Sequence, residues 1–440
     1  MSTSAPQAGQ NTTHVAAQVA EIRGIESFRV ARYEFVIEAI DPLFLPPYKG
    51  STFRGGFGTA FKSVSCSNRA PECRDCLLRH ACPYAYVFET APPEGSEALT
   101  KFEQVPHPFV LEPPLIERQE FPPGQELSFG LVLIGRGIEL LPYFIVAFQE
   151  FGKTGIGRGR GRFKLARAYA TTKVAGRGGK PCGAPTSGPR ATEEIENGTE
   201  IQLVFDGLTN KVYVRDAVIG WKDVQAASAQ LLQQMCNTGA HGGLPLDTPG
   251  DAVNVASEGT RMAQDRTGRF KDDPEDEASQ DGLRHAQART SHELRLTVTF
   301  ETMTRLKYEG SLNDRPEFHV LIRSLLRRVS ALLYFHHGTK LEMDFRGFIS
   351  QAERVRLVAQ RTRWVDWERY SSRQDARMKL GGIVGAATYE FPDPDLVALF
   401  LPWLVLGQYV HVGKGATFGL GQLAVVSESA RSPVAASSDT

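Results

Sequence analysis

Four cysteines carry the most legible chemistry in this chain. In CSNRAPECRDCLLRHAC, Cys66, Cys73, Cys76 and Cys82 follow the spacing C-x6-C-x2-C-x5-C. Four thiolates suit tetrahedral Zn2+, and the inner C-x-x-C lets two ligands share one turn. A tight cluster of this kind in a reducing compartment points to a structural metal, with His80 able to replace one sulfur; ordinary or redox-active thiols are the alternative. Cys182 and Cys236 lie in loose segments and look incidental.

Two glycine loops are the second candidate. FGKTGIGRGRGRFK begins at Phe151, and HVGKGATFGLG begins at His411. Closely spaced glycines let a backbone reach φ > 0 and approach a ligand, and their amides can cradle an anion. The first loop is also basic. Lys153, Arg158, Arg160, Arg162, Lys164, Arg167, Lys173, Arg177 and Lys180 fall between 151 and 180 with no Asp or Glu. Such a run attracts a polyphosphate backbone, or else is a solvated strand edge. The pattern of a nucleotide-binding Walker loop fails, because its first glycine would have to stand at Ala147, which leaves ATP binding a distant alternative. In the second loop, Gly413, Gly415, Gly419 and Gly421 surround Lys414.

Histidines and aromatics supply the third set. The segment 316–337 reads as a helix with Asp314 as N-cap, Pro316 in the first turn and Gly338 at the stop. Phe318, Ile322, Leu325, Val329, Leu332 and His336 share a core stripe; Arg323, Arg327, Ser330, Tyr334 and His337 share a polar one. His336 is then the better packed histidine and His337 the more available. His411 either does chemistry or packs. The segment 361–382 interleaves Trp364, Trp367 and Tyr370 with Arg361, Arg363, Arg369, Arg373, Arg377 and Lys379. Rings of this kind stack on splayed bases while arginines hold phosphates; a protein or membrane contact is the rival reading.

The surrounding chain must position these groups. Its 440 residues suffice for two or three domains, and 41% apolar content supports buried cores. Lys+Arg and Asp+Glu are both 50, which excludes a uniformly basic protein but not a basic patch. No signal peptide and no run of ~20 apolar residues is seen, so a cytoplasmic setting is expected. The segments 28–40 and 294–303 alternate as half-buried strands, each followed by a loop and a helix. At an offset of 260 residues, LPYFIVAFQEFGKTGIGRGRGRFKL (141–165) aligns without a gap on LPWLVLGQYVHVGKGATFGLGQLAV (401–425). Leu141, Pro142, Gly155, Gly159 and Gly161 match Leu401, Pro402, Gly415, Gly419 and Gly421, and Phe151 stands opposite His411. The fold class expected is α+β: two tandem ferredoxin-like domains, 26–175 and 291–428. Tails are expected at 1–25 and 429–440. Between the domains, 176–290 reads as a loose insertion with two short strands and a helix at 221–235.

LPPYKGSTFRGGFGTAFK, CPYAYVFET, DFRGFI, RWVDWERYSSRQDARMKLGG and HVGKGATFGLG together resemble the CRISPR-associated endoribonucleases of the RAMP superfamily, over roughly 28–170 and 290–427. The resemblance implies two RAMP domains, each closing on a glycine-rich loop, and processing of precursor CRISPR RNA. It also implies cleavage without a catalytic metal: the 2′-OH attacks the adjacent phosphate, leaving a 2′,3′-cyclic phosphate. Relatives often place a catalytic histidine around the first helix of the first domain. Here GSTFRGGFGTAFKSV contains none. The acid–base candidates are therefore His337, His336 and His411, assisted by Lys414 or Tyr334. Lys49 and Arg54 are candidate phosphate contacts. Other readings are a non-catalytic RAMP subunit that holds guide RNA inside an effector complex, and a zinc-containing DNA-binding regulator.

Overall fold

Strict alternation makes Arg29–Ala39 (β1) the centre of the first sheet. Ala31, Tyr33, Phe35, Ile37 and Ala39 point one way into an aromatic core, while Val30, Arg32, Glu34 and Val36 take the other face. In the computed structural model, which describes residues 22–68, 73–90, 105–171, 192–195, 199–215, 217–239, 294–371 and 376–427, β1 is followed by the short β2 (Leu43–Phe44) and helix α1 (Gly50–Ser65). Then come α2 (Pro83–Phe88), β3 (Phe109–Glu112), β4 (Glu120–Phe121), β5 (Glu126–Ile134), α3 (Leu141–Thr154) and β6 (Phe163–Thr171). The sheet order β3-β5-β1-β6, antiparallel throughout, is that of a ferredoxin-like unit.

Four glycines give α1 a poor intrinsic propensity, so packing must hold it. Phe53, Phe57, Ala60 and Phe61 recur at helical spacing and are buried. Phe57 stacks on Phe144 and Phe148 of α3 at 5.2 and 4.5 Å between ring centroids. Each such ring contributes on the order of 2 kcal/mol by burial. Gly56 permits the approach, because a Cβ there would lie 2.0 Å from the Phe151 ring.

The second domain repeats the plan. β11 (Leu294–Thr304) leads through the β12–β13 hairpin (Leu306–Tyr308, Ser311–Asn313) to α5 (Phe318–His337) and α6 (Phe345–Glu353). β14 (Arg356–Val365), the β15–β16 arm (Glu368–Ser371, Ala376–Lys379), β17 (Gly382–Phe391), α7 (Pro394–Val410) and β18 (Leu423–Ser427) follow. Its sheet order, β14-β17-β11-β18, reproduces that of the first domain. The expected duplication is therefore present, with β6 and β18 beginning at the matched residues Phe163 and Leu423. Asp314 is not the cap of α5. The helix starts at Phe318 after Glu317, and Gly338 ends it with φ 68°.

Two expected boundaries move. Arg23 pairs backbone to backbone with Glu342, and Ile25 is buried in the second domain's core, so the tail does not reach residue 25. The expected loose insertion is in part structural. After β7 (Thr192–Ile195), β8 (Thr199–Asp206) extends the first sheet beside β6, with β9 (Lys211–Val212) on its far side. β10 (Ile219–Gly220) pairs with the start of β1, and α4 (Trp221–Gly239) lays Trp221 5.4 Å from Trp403 of α7. Apolar residues that punctuate a polar stretch thus serve as bridges between both cores. The remainder of the expected insertion, 176–191, 196–198, 216 and 240–290, lies outside the described residues.

Candidate functional site

The two domains meet where the second glycine loop, 411–422, lands on the start of α1. Gly419 lies against Leu111 O and Pro113. Tyr48 Oη donates to Phe418 O at 2.7 Å. A Cβ on Gly50 would lie 2.0 Å from that same carbonyl. Tyr48 also meets Trp367 edge-on at 4.7 Å, so the loop, α1 and the root of the β15–β16 arm form one junction. Arg54, one turn along α1, stacks on Phe88 at 4.4 Å and lies 5.9 Å from the Phe418 ring. Lys414 is exposed on the same loop.

The first glycine loop does something different. It folds back on its own domain: Arg158 N donates to Phe44 O at 2.9 Å and its guanidinium lies over the Phe44 ring. The basic run lacks acids in sequence, but the fold supplies them. Arg162 forms a two-pronged pair with Asp41 at 2.8 and 3.2 Å, and holds that carboxyl below its ordinary range through those bonds. Lys164 pairs with Glu38, Arg167 with Glu126 and Lys153 with Glu150. Arg158 and Arg160 remain exposed with no carboxylate among the described residues. The expectation of one continuous cationic loop is corrected to two available arginines; Lys173, Arg177 and Lys180 lie outside the described residues.

The three predicted histidines are all engaged on both ring nitrogens. His336 Nε2–H donates to Pro106 O at 2.7 Å, and Nδ1 accepts from Tyr86 Oη at 3.0 Å. Burial pushes its pKa down to about 4. His337 stacks on Phe28 at 4.8 Å, accepts from Arg29 N at 2.9 Å and donates from Nδ1 to Leu332 O at 3.2 Å. Burial lowers its pKa as well. His411 is fully buried, bonded to Leu420 O at 3.0 Å and Glu112 Oε1 at 3.3 Å. These three catalytic candidates thus join the domains: His336 packs as its stripe indicates, His411 takes the packed of its two readings, and the availability expected of His337 is corrected. Tyr334 sits half-buried against Phe335. On the polar stripe of α5, Arg323 is bound to Glu353 of α6 at 2.9 Å.

Lys49 is corrected as well. It is buried, and its ammonium donates to Pro47 O at 3.1 Å and Ile116 O at 2.8 Å, with burial lowering its pKa. It ties down the chain entering α1 and does not face solvent.

His107, which spacing alone did not single out, lies in the field of Arg54, His336 and Arg328. Burial first, and the charges of Arg54 and Arg328 after it, push its pKa down to about 3. Its Nδ1 has no partner among the described residues, and neither has Nη2 of Arg328. Arg328 donates through Nε to Val410 O at the end of α7, and burial pushes its pKa down to about 10. Buried donors and acceptors left open in this way are uncommon in folded proteins. The Arg328 guanidinium and the neutral His107 imidazole carry these open atoms at the junction, next to Arg54, which borders the glycine loop. Two donors and one acceptor of this type match an RNA phosphate and its neighbouring hydroxyl.

A basic edge leads away from the junction. Among the described residues β14 pairs with β17 alone, and it is exposed along most of its length. Arg361 and Arg363 project from it without a carboxylate among the described residues, and Trp364, exposed, donates to Asp366 at 2.9 Å. Arg356 is held by Glu390. The backbone places Arg369 and Tyr370 on β15, with side chains outside the described set; Arg373 lies outside the described residues.

The described cysteines, Cys66, Cys73, Cys76, Cys82 and Cys236, are free thiols. Cys73 feels Cys66 and Cys82 electrostatically, and burial raises its pKa. Cys76 accepts from Asn68 Nδ2 at 3.4 Å, a bond that lowers its pKa. Among the described residues no three His, Cys, Asp or Glu side chains are gathered as metal ligands. The donor chemistry fits zinc; the closed cage is not formed. No helix among the described residues is long and apolar enough to cross a membrane.

Tandem ferredoxin-like domains, each closed by a glycine-rich loop, define the class of fold. Residues 298–423, most of the second domain, match the family model described as CRISPR-associated endoribonuclease Cas6. Residues 28–181 match a model described as an N-terminal domain. An uncharacterized protein of Archaeoglobus fulgidus is 30% identical over 112 residues, 26% of this chain and 37% of that protein; the match thus spans little more than a third of that curated relative. Among solved structures, Thermus thermophilus Cas6 aligns at 11% identity and a TM-score of 0.41, over 91% of this chain and 99% of that one. A Cas6 product complex aligns at 12% and 0.42, over 90% and 100%. A partial Cas6-RT-Cas1–Cas2 complex aligns at 11% and 0.43, over 91% and 46%.

Proposed function

We propose that this chain is an endoribonuclease that processes CRISPR repeat RNA, cutting at the junction of its two domains. The observation that carries the reading is the seat of the second domain's glycine loop, within a Cas6 family match, on α1 and Arg54 of the first domain. RNA runs from the β14 edge, where Arg361 and Arg363 hold phosphates and Trp364 offers a stacking surface, to that loop. Cleavage proceeds without a catalytic metal. The 2′-OH attacks the adjacent phosphate, a 2′,3′-cyclic phosphate remains, and the 5′ oxygen leaves with a proton drawn from solvent water. Arg54 and Lys414 offset the charge that develops on the phosphate. His107 Nδ1 accepts the hydroxyl proton. A phosphate seated beside Arg54 offsets part of the repulsion that depresses this imidazole. The product RNA and CRISPR effector subunits are the expected partners, and the cytoplasm is the expected setting.

The four cysteines hold a structural zinc. Thiolate chemistry and the electrostatic coupling of Cys73 to Cys66 and Cys82 support this, and the half-buried Cys76 would complete the set by turning from Asn68.

A second reading is favoured by one observation. The three histidines expected to do chemistry are bonded to protein groups, as a guide-RNA-binding subunit without activity would allow. Incubating purified protein with labelled repeat RNA in EDTA separates the two. Site-specific cutting that leaves a cyclic phosphate supports the enzyme, and binding without cutting overturns it.

A further inference from the structure

The two copies of the duplicated unit differ at one matched position, Phe151 and His411, and the difference changes how each glycine loop is held. α3 runs through Phe151 to Thr154, whereas α7 stops at Val410. The second loop is therefore one helical turn longer. The break falls on His411, whose φ of 61° and ψ of 172° belong to a region that essentially only glycine adopts. A non-glycine residue keeps such a conformation only when its surroundings fix it. Here they do. His411 Nδ1–H donates to Leu420 O, and Val412 N donates to Gly421 O at 2.9 Å, so the loop is closed at its base. The other ring nitrogen, Nε2, reaches across to Glu112 Oε1 of the first domain. Both ring nitrogens thus lie at hydrogen-bond distance from fixed partners, one in each domain. Phe151 makes no such bond: it packs in its own domain's core, 5.3 Å from Phe163.

The carboxylate is itself fixed. Glu112 accepts from Arg32 Nε at 3.0 Å and lies 2.8 Å from Arg32 Nη2. It stands opposite Gly130 on β5, where a Cβ would lie 2.2 Å from Glu112 Oε2. Burial raises the carboxyl pKa, but Arg32 and His411 outweigh it and the net direction is down. Glu301, also facing this group, is pushed up by burial and by Glu112.

We propose that Arg32, Glu112 and His411 form an interdomain strut that positions the second glycine loop on α1 for RNA cleavage, making His411 and Glu112 positioning residues. This rests on the function proposed above only for its RNA readout. The test uses the full chain and two variants. His411→Phe installs the residue of the other copy; Glu112→Gln keeps shape and removes charge. Hydrogen exchange of the amides 412–421, without RNA, is expected to quicken at least tenfold in each, with β5 unchanged and the double variant no faster than the faster single. Unchanged loop exchange in Glu112→Gln would overturn the strut even if His411→Phe fails to fold. With repeat RNA, kcat is expected to fall at least tenfold while KM stays within threefold; equal losses in both, or a purely KM effect, would also overturn it. A wild-type protein that never cuts, yet shows the exchange pattern, would sink the nuclease reading and leave the strut standing.

Discussion

A single methyl group on Gly50 tests whether the loop–helix contact is the working part of this molecule. Gly50 opens α1 with a backbone that any residue adopts, so alanine introduces no torsional strain. Its Cβ would meet Phe418 O at 2.0 Å, against 3.4 Å for ordinary contact. The obstacle is backbone, so the loop must withdraw by roughly 1.4 Å, which also lengthens the Tyr48–Phe418 bond. A displacement of about 1 Å near reacting atoms can cost about 100-fold in rate. Overpacking of this size costs about 1–3 kcal/mol of stability, not the fold. Single-turnover cleavage of labelled repeat RNA by Gly50→Ala is therefore expected to slow about 100-fold, with a native far-UV spectrum. Gly55→Ala is the control on the same helix. It meets nothing within 4 Å, gains about 1 kcal/mol of helix propensity, and should cut at the wild-type rate. Wild-type cleavage by Gly50→Ala, or equal loss in both variants, would refute the placement of the site.

Other perturbations probe the remaining parts. His336 holds a folded-state pKa of about 4 against 6.5 when unfolded. The unfolded chain therefore binds more protons, and stability present above pH 6.5 declines as pH falls toward 4, by about 2 kcal/mol at pH 5. His336→Asn should flatten that part of the urea-denaturation pH profile; an unchanged profile would show that the imidazole is not held neutral. Arg361→Ala and Arg363→Ala should each weaken RNA binding and reduce the slope of log K against log salt by about 1, whereas Arg162→Ala, whose guanidinium is occupied by Asp41, should leave the slope alone. Purified protein should release one zinc per chain when its thiols are modified, and Cys73→Ser should lower that yield; metal-free protein with four titratable thiols at those positions would overturn the zinc site.

The sequence by itself determined the duplicated architecture. Alternation in 28–40 and 294–303, helical spacing in 316–337 and the gapless match across 260 residues are local or periodic properties, readable without contacts. The Gly338 stop was legible for the same reason: a positive φ is a property of one residue. The β14 edge arginines were legible as a charge pattern. Tertiary structure alone decided which of the chemical groups are available. A run free of acids at 151–180 says nothing about Asp41, Glu38 and Glu126, which arrive from more than 40 residues away and occupy its cations. Spacing assigned His336 to the core but could not show that His337 and His411 would also be consumed, because their partners, Arg29 and Glu112, belong to the other domain. The same limit hid His107, whose surroundings come from α1, α2 and α5. Periodicity records which way a side chain faces on its own element; what it meets there depends on how two domains dock, and that is a long-range outcome of packing two cores together.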